Sequence, residues 1–98
     1  MIRHMLFWNL KDPAADRAEV REFLQKSFRE MVEQIPELLA AQVDFDAGAG
    51  THDIGLYCEF KSMEDMRAYQ QHPRHLAFKE AGAKWLTGRV CVDLEVEA

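Results

Sequence analysis

Residues 2–10, IRHMLFWNL, place Ile2, His4, Leu6, Trp8 and Leu10 on one side and Arg3, Met5, Phe7 and Asn9 on the other. With so many β-favouring side chains, this period of two predicts a strand. Both of its faces are apolar at the centre, so both need cover. Farther along, the period changes. Val20, Phe23, Leu24, Phe28, Met31, Val32 and Ile35 recur at three- and four-residue spacing, the single buried stripe of a helix. Asp12-Pro13 predicts its start, a capping residue followed by proline at the first helical position. Pro36 ends it by disfavouring helical geometry at Ile35. Residues 38–46, LLAAQVDFD, form a weaker strand pattern, and the glycine-rich AGAGTH is a connection. That connection lacks the lysine–hydroxyl pair of a phosphate-binding loop. A clearer strand follows at residues 53–61, DIGLYCEFK, with Ile54, Leu56, Cys58 and Phe60 on one face and Tyr57, Glu59 and Lys61 on the other.

Ser62 with Asp65 reads as a capping box opening a second helix to about Gln71. Pro73 interrupts it, and a third helical piece runs from about Arg74 to Trp85. Gly88 precedes a last strand, RVCVDLEVE, with Val90, Val92, Leu94 and Val96 on one side. The parity of that strand predicts an Asp93 side chain pointing away from the helix-side pocket, with its backbone carbonyl expected as the group that could orient His75. The order is β-α-β-β-α-β, an α+β, ferredoxin-like arrangement spanning residues 1–98 as one domain. Helices then cover one face of a four-stranded antiparallel sheet. Met5, Phe7, Tyr57 and Phe45 are expected on the other face, too apolar to stay in water, so the chain is expected to pair as a homodimer through it.

Composition narrows the function. A net charge of −5 over 98 residues argues against a nucleic-acid partner, which calls for a basic face. No apolar run approaches a membrane span, and MIRHMLFWNL lacks the form of a signal peptide, so the cytoplasm is the expected location. Cys58 and Cys91 are too few for a zinc or iron–sulfur site and in a reducing compartment are expected as buried packing groups.

Candidate chemistry gathers around YQQHPRH. Pro73 suits the first position of its helical piece, which puts His75 in the first turn, where the helix dipole disfavours the imidazolium. A neutral imidazole can accept a proton as a general base. His4 shares a strand face with Leu6 and Trp8, and Tyr69 ends the preceding helix. Each also has a structural reading: His4 as a hydrogen-bonded core residue, Tyr69 as a core edge, His72 as a cap. A metal site built on His72 and His75 is disfavoured, because the proline breaks the helical register between them and no carboxylate stands at an obvious third position.

Several segments together, IRHMLFWNLK, QIPEL, YCEFKS, AYQQHPRH and VCVDLEV, resemble the stress-responsive dimeric α/β-barrel (Dabb) family over essentially the whole chain. The resemblance implies a ferredoxin-like protomer pairing sheet to sheet into a barrel-like homodimer. The best-understood relative type is the plant olivetolic acid (polyketide) cyclase, which closes a linear thioester by aldol condensation without a cofactor. That similarity implies His75 as base, Tyr69 as the group polarising a substrate oxygen, and His4 as an orienting residue. Leu6, Trp8, Leu24, Phe28, Leu56, Phe78 and Trp85 would line the apolar part of the pocket. Trp8 stands where the cyclase has a smaller aliphatic residue and Gln25 where it has an aromatic, so a different substrate is expected. The resemblance thus implies a small-molecule-binding dimer with cofactor-independent proton abstraction; some family members hold a magnesium ion through loop carbonyls, and the residues here place no such metal site. The alternatives are a non-catalytic stress-related dimer and a monooxygenase-like oxidation on the same fold.

Overall fold

The structure is a computed structural model and describes residues 1–97. The elements run β1 (Ile2–Leu10), α1 (Arg17–Gln34), β2 (Ala40–Phe45), β3 (Ile54–Phe60), α2 (Met63–Gln71), α3 (Pro73–Gly82) and β4 (Leu86–Glu95). All neighbouring strands are antiparallel, in the order β2-β3-β1-β4, which makes β1 and β3 central and β2 and β4 edges. This is the ferredoxin-like arrangement expected from the periodicities, with the second helical segment divided in two. No helix among the described residues is long and apolar enough to cross a membrane.

The alternation of β1 holds throughout. Ile2, His4, Leu6, Trp8 and Leu10 are buried beneath the helices, while Arg3 and Phe7 are exposed on the opposite face. The α1 stripe of Val20, Leu24, Phe28 and Met31 packs onto Ile54, Leu56 and Cys58 in the same core. Burial of this kind stabilises by roughly 25 cal/mol per Å² of apolar surface removed from water. The helices thus depend on the sheet for most of their stability.

Two helix ends follow different rules. Asp12 and Pro13 form a turn rather than the start of α1: the Asp12 carboxylate accepts from Ala14 N at 2.9 Å and its carbonyl from Ala15 N at 3.0 Å. The cap is Asp16, whose Oδ1 accepts from the amides of Ala18 and Glu19. A second aspartate four residues on therefore competes for the role, and proline at the second place of a turn explains why the first loses it. At the other end, Ile35 is extended before Pro36, as expected.

β4 departs most from expectation. It begins at Leu86, so Gly88 lies within the strand, and α3 ends at Gly82 instead of reaching Trp85. Between Phe7↔Val90 and Asn9↔Thr87 the register shifts, and Gly88 with Arg89 together face Trp8. Gly88 has φ +65°, the left-handed conformation that a bulge of this type demands of its first residue. The shift reverses side-chain parity along β4. Val90, Val92 and Leu94 lie on the open sheet face, 45–46 % exposed, whereas Asp93 pairs with His4 on the helix side. Phe45 also moves: it is paired with Ile54, and its ring lies under the guanidinium groups of Arg17 and Arg21 at 4.9 and 5.6 Å, so it belongs to the helix side. Cys58 is buried as expected, but Cys91, on an edge strand, is exposed; both are free thiols.

Replacing Gly88 by alanine should destabilise the fold by about 1 kcal/mol, the cost of a side chain in left-handed geometry. The new Cβ would also stand 3.4 Å from Asn9 Nδ2. Equilibrium urea unfolding reads this as a lower midpoint at unchanged slope; an unchanged midpoint would contradict it.

Candidate functional site

The period of two in β1 points His4 into the helix-side layer, between Cys58 of β3 and Asp93 of β4. At this depth an imidazole needs partners for its polar atoms. His4 is 2 % exposed, and its Nδ1 lies 2.5 Å from Asp93 Oδ1. With Nδ1–H donating to the carboxylate, Nε2 is left as the nitrogen free to meet a ligand.

The second histidine arrives from the break between α2 and α3. His72 is extended, ends α2 and caps α3, its Nδ1 accepting from Arg74 N at 3.0 Å. Pro73 occupies the first turn of α3, and the new helix direction brings the His75 ring over Tyr69, with centroids 4.3 Å apart. His75 Nδ1 donates to the Gln70 carbonyl at 3.3 Å, so its Nε2 is also the free nitrogen. The Asp93 backbone has no part in this; the Gln70 carbonyl takes the orienting role. Burial holds the His75 pKa down to about 4 against the lift from that carbonyl, and Lys79, His4 and Arg89 lower it further. The ring is neutral at physiological pH as expected, with desolvation as the leading cause rather than the helix end.

Tyr69 is 1 % exposed, with its ring 5.0 Å from that of Phe60 and its hydroxyl beside the Cys58 thiol. Burial pushes the Tyr69 phenol far above its ordinary range and the thiol up to about 12, so both keep their protons.

His4, Tyr69 and His75 border one cavity of about 490 Å³ between β1, β4 and the α2–α3 pair. Leu6 and Trp8 supply its apolar wall, joined by Leu86. Leu24, Phe28, Leu56 and Phe78 lie outside the lining, at 3 % exposure or less in the core. Phe78 is surrounded by rings, 4.9 Å from Phe28 and 5.5 Å from Phe23, and Trp85 packs 5.1 Å from Phe23. These aromatic contacts fill the space beneath α3, which leaves the opening nearer the α3–β4 connection. Gln25 turns to β2, donating to the Val43 carbonyl at 3.3 Å. The cavity also takes in Gln70, Lys79, Thr87, Gly88 and Arg89, none of them anticipated from sequence. Among these only Gly88 carried a local signal, since an isolated glycine in a strand pattern marks a bulge. No group of three or more His, Cys, Asp and Glu side chains among the described residues is arranged to hold a metal ion.

Comparison with known proteins bears on this geometry. The family model of the stress responsive A/B barrel domain, Dabb, matches residues 2–96. A dimeric protein of unknown function and ferredoxin-like fold from Bacteroides fragilis is similar at 24 % identity and TM-score 0.85, over 97 % of this chain and 95 % of that one. A dimeric ferredoxin-like protein of unknown function from Thermobifida fusca is similar at 27 % identity and TM-score 0.80, over 97 % and 90 %. The hydroxynitrile lyase from Passiflora edulis is similar in fold, with 15 % identity and TM-score 0.81, over 98 % and 93 %. No curated protein sequence matches the chain.

The depressed His75 pKa has a measurable linkage. The unfolded chain protonates this residue near its ordinary value of 6.5 and the folded chain only near about 4. Between those values the unfolded state binds the extra proton, so stability is lost as pH falls through that window. The urea midpoint should drop more between about pH 7 and about pH 5 for the wild type than for His75→Gln. Equal drops would contradict the assignment.

Proposed function

The chain belongs to the stress responsive A/B barrel domain family, and from that premise we propose that it binds a small organic carbonyl compound in the His4–Tyr69–His75 cavity and abstracts a proton from it without a cofactor. The observation that carries this reading is the pair of imidazoles bordering one cavity, each with Nδ1 engaged and Nε2 free. A volume of about 490 Å³ falls within the range of small-molecule sites.

In the proposed step, the free Nε2 of neutral His75 takes a proton from the carbon next to a carbonyl. The electron pair of that C–H bond moves to the carbonyl oxygen as an enolate. Tyr69, kept protonated by burial, is the donor to that oxygen. His4, held by Asp93, orients the substrate through its free Nε2. The enolate carbon then closes on a second carbonyl of the same molecule, and the resulting alkoxide recovers the proton from His75. Each atom is returned, so the cycle needs no oxidant or metal. The similar fold of a hydroxynitrile lyase supports the reading that this architecture accommodates lyase chemistry.

The assembly belongs to the same proposal. Phe7, Val90, Val92 and Leu94 are 38–46 % exposed together on the open sheet face, and a second copy of the chain covers them, as the dimeric state of similar proteins supports.

Deuterium exchange into a linear β-polyketo thioester, followed by NMR, tests the chemistry. The wild type should exceed buffer, and His75→Ala should lose about 10²- to 10⁴-fold of that rate, the usual contribution of a positioned base. Exchange no faster than buffer, or a folded His75→Ala variant at full rate, would defeat it. Light scattering at micromolar concentration tests the assembly: the wild type should have the mass of two chains and Val92→Glu that of one. A monomeric wild type would refute it.

A further inference from the structure

The charge balance of the cavity is opposite to that of the chain. The protein carries 17 Asp and Glu against 12 Lys and Arg. Yet the cavity is bordered by two cations, Lys79 and Arg89, and by no carboxylate. Both cations are exposed while bordering the cavity, which places them at its rim. Arg17, Arg21 and Arg74 each have a carboxylate partner within 4 Å, but among the described residues Lys79 and Arg89 have none.

Backbone geometry aims one of these cations. The register shift at Gly88 and Arg89 puts Leu86 and Arg89 on the same side of β4, although an unbroken alternation would separate them. Bulges of this kind re-aim a side chain beside a site. The bulge, Leu86 and Arg89 all border the cavity. Its inner wall is apolar through Leu6, Trp8 and Leu86, while its rim is cationic.

We propose that the ligand of this cavity is an amphiphilic anion, its apolar body against Leu6, Trp8 and Leu86 and its carboxylate or phosphate held by Arg89 and Lys79. The inference rests on the cavity being the ligand site and adds the chemical class of what enters. Arginine's planar fork suits either oxyanion, and lysine adds a mobile point charge.

The anion also bears on the base. The groups facing His75 are Tyr69 and the Gln70 carbonyl from α2, His4 from β1, Arg89 from β4 and Lys79 of its own helix. Lys79 and Arg89 both oppose a positive charge on His75. An anion bound between them offsets that opposition, so an acidic ligand makes its own acceptor more willing to take a proton.

Three matched probes test the inference on the full chain: naphthylacetate, its neutral amide and naphthyl phosphate, titrated while the Trp8 indole resonance is followed by NMR. At least one anion should bind about tenfold or more tightly than the amide, a preference of the size that one charge-assisted contact supplies. The tighter of the two anions assigns the carboxylate or the phosphate. The preference should shrink with added salt and disappear in Lys79→Gln/Arg89→Gln, while amide binding and the urea midpoint stay unchanged. The His75 imidazole should titrate at higher pH with the preferred anion bound. Equal binding of acid, phosphate and amide, or a preference that survives the double substitution, overturns the anion inference and leaves the cavity reading standing. No perturbation of Trp8 by any probe overturns both.

Discussion

The constraint on which the molecule turns is the two-residue alternation of β1, a central strand in a sheet whose helices lie on one side. Each residue of that strand is committed to one of two environments, and a neighbour is committed to the other. His4, Leu6 and Trp8 join the core and the cavity, while Met5 and Phe7 join the open face. One nine-residue segment therefore serves the cavity and the apolar face without any side chain shared between them.

Within the helix-side layer, two histidines receive opposite treatment. His4 is the more deeply buried, but a carboxylate meets it at 2.5 Å, so its polar atom is satisfied. His75 is less buried, but only a neutral carbonyl accepts from it, and the nearby charged groups are cations. Burial lowers the His75 pKa because, among the described residues, no anion stands beside the ring to offset the lost water. The Tyr69 and Phe78 rings pack against His75, with centroids 4.3 and 6.3 Å away.

Much of the fold could be read in the chain because its strongest signals are local. The stripe of α1, the alternation of β1 and β3, Pro36 and the Ser62 cap each state their consequence within a few residues. The break at Pro73 was equally legible, and with it the cap at His72 and the separate position of His75 in the first turn of α3. What escaped depends on pairing between distant segments. Whether Asp93 or Val92 faces the helices is set by register against β1, which no periodicity within β4 can reveal. Phe45 went to the wrong face for the same reason: its neighbours alternate weakly, and the arginines that cover it come from α1. The apolar lining was over-assigned because sequence marks a buried ring without saying whether it fills space or borders it. Lys79 and Arg89 passed unnoticed because exposed cations are common, and only a cavity gives these two a shared location.

The bulge at Gly88 has a bearing on how such a chain can vary over evolution. Point substitutions along β4 alter one face at a time, whereas deletion of this glycine would leave Arg89 alone opposite Trp8, with Thr87 still opposite Asn9 and Leu86 opposite Leu10. Side-chain parity on both sides of the bulge would survive, and what is lost is the local twist that the extra residue gives the strand beside the cavity. Loss of one residue is thus open to this strand at the bulge, while a loss farther along the paired stretch would put the part beyond it out of phase. A relative without the bulge therefore needs no compensating residue in the connection from α3.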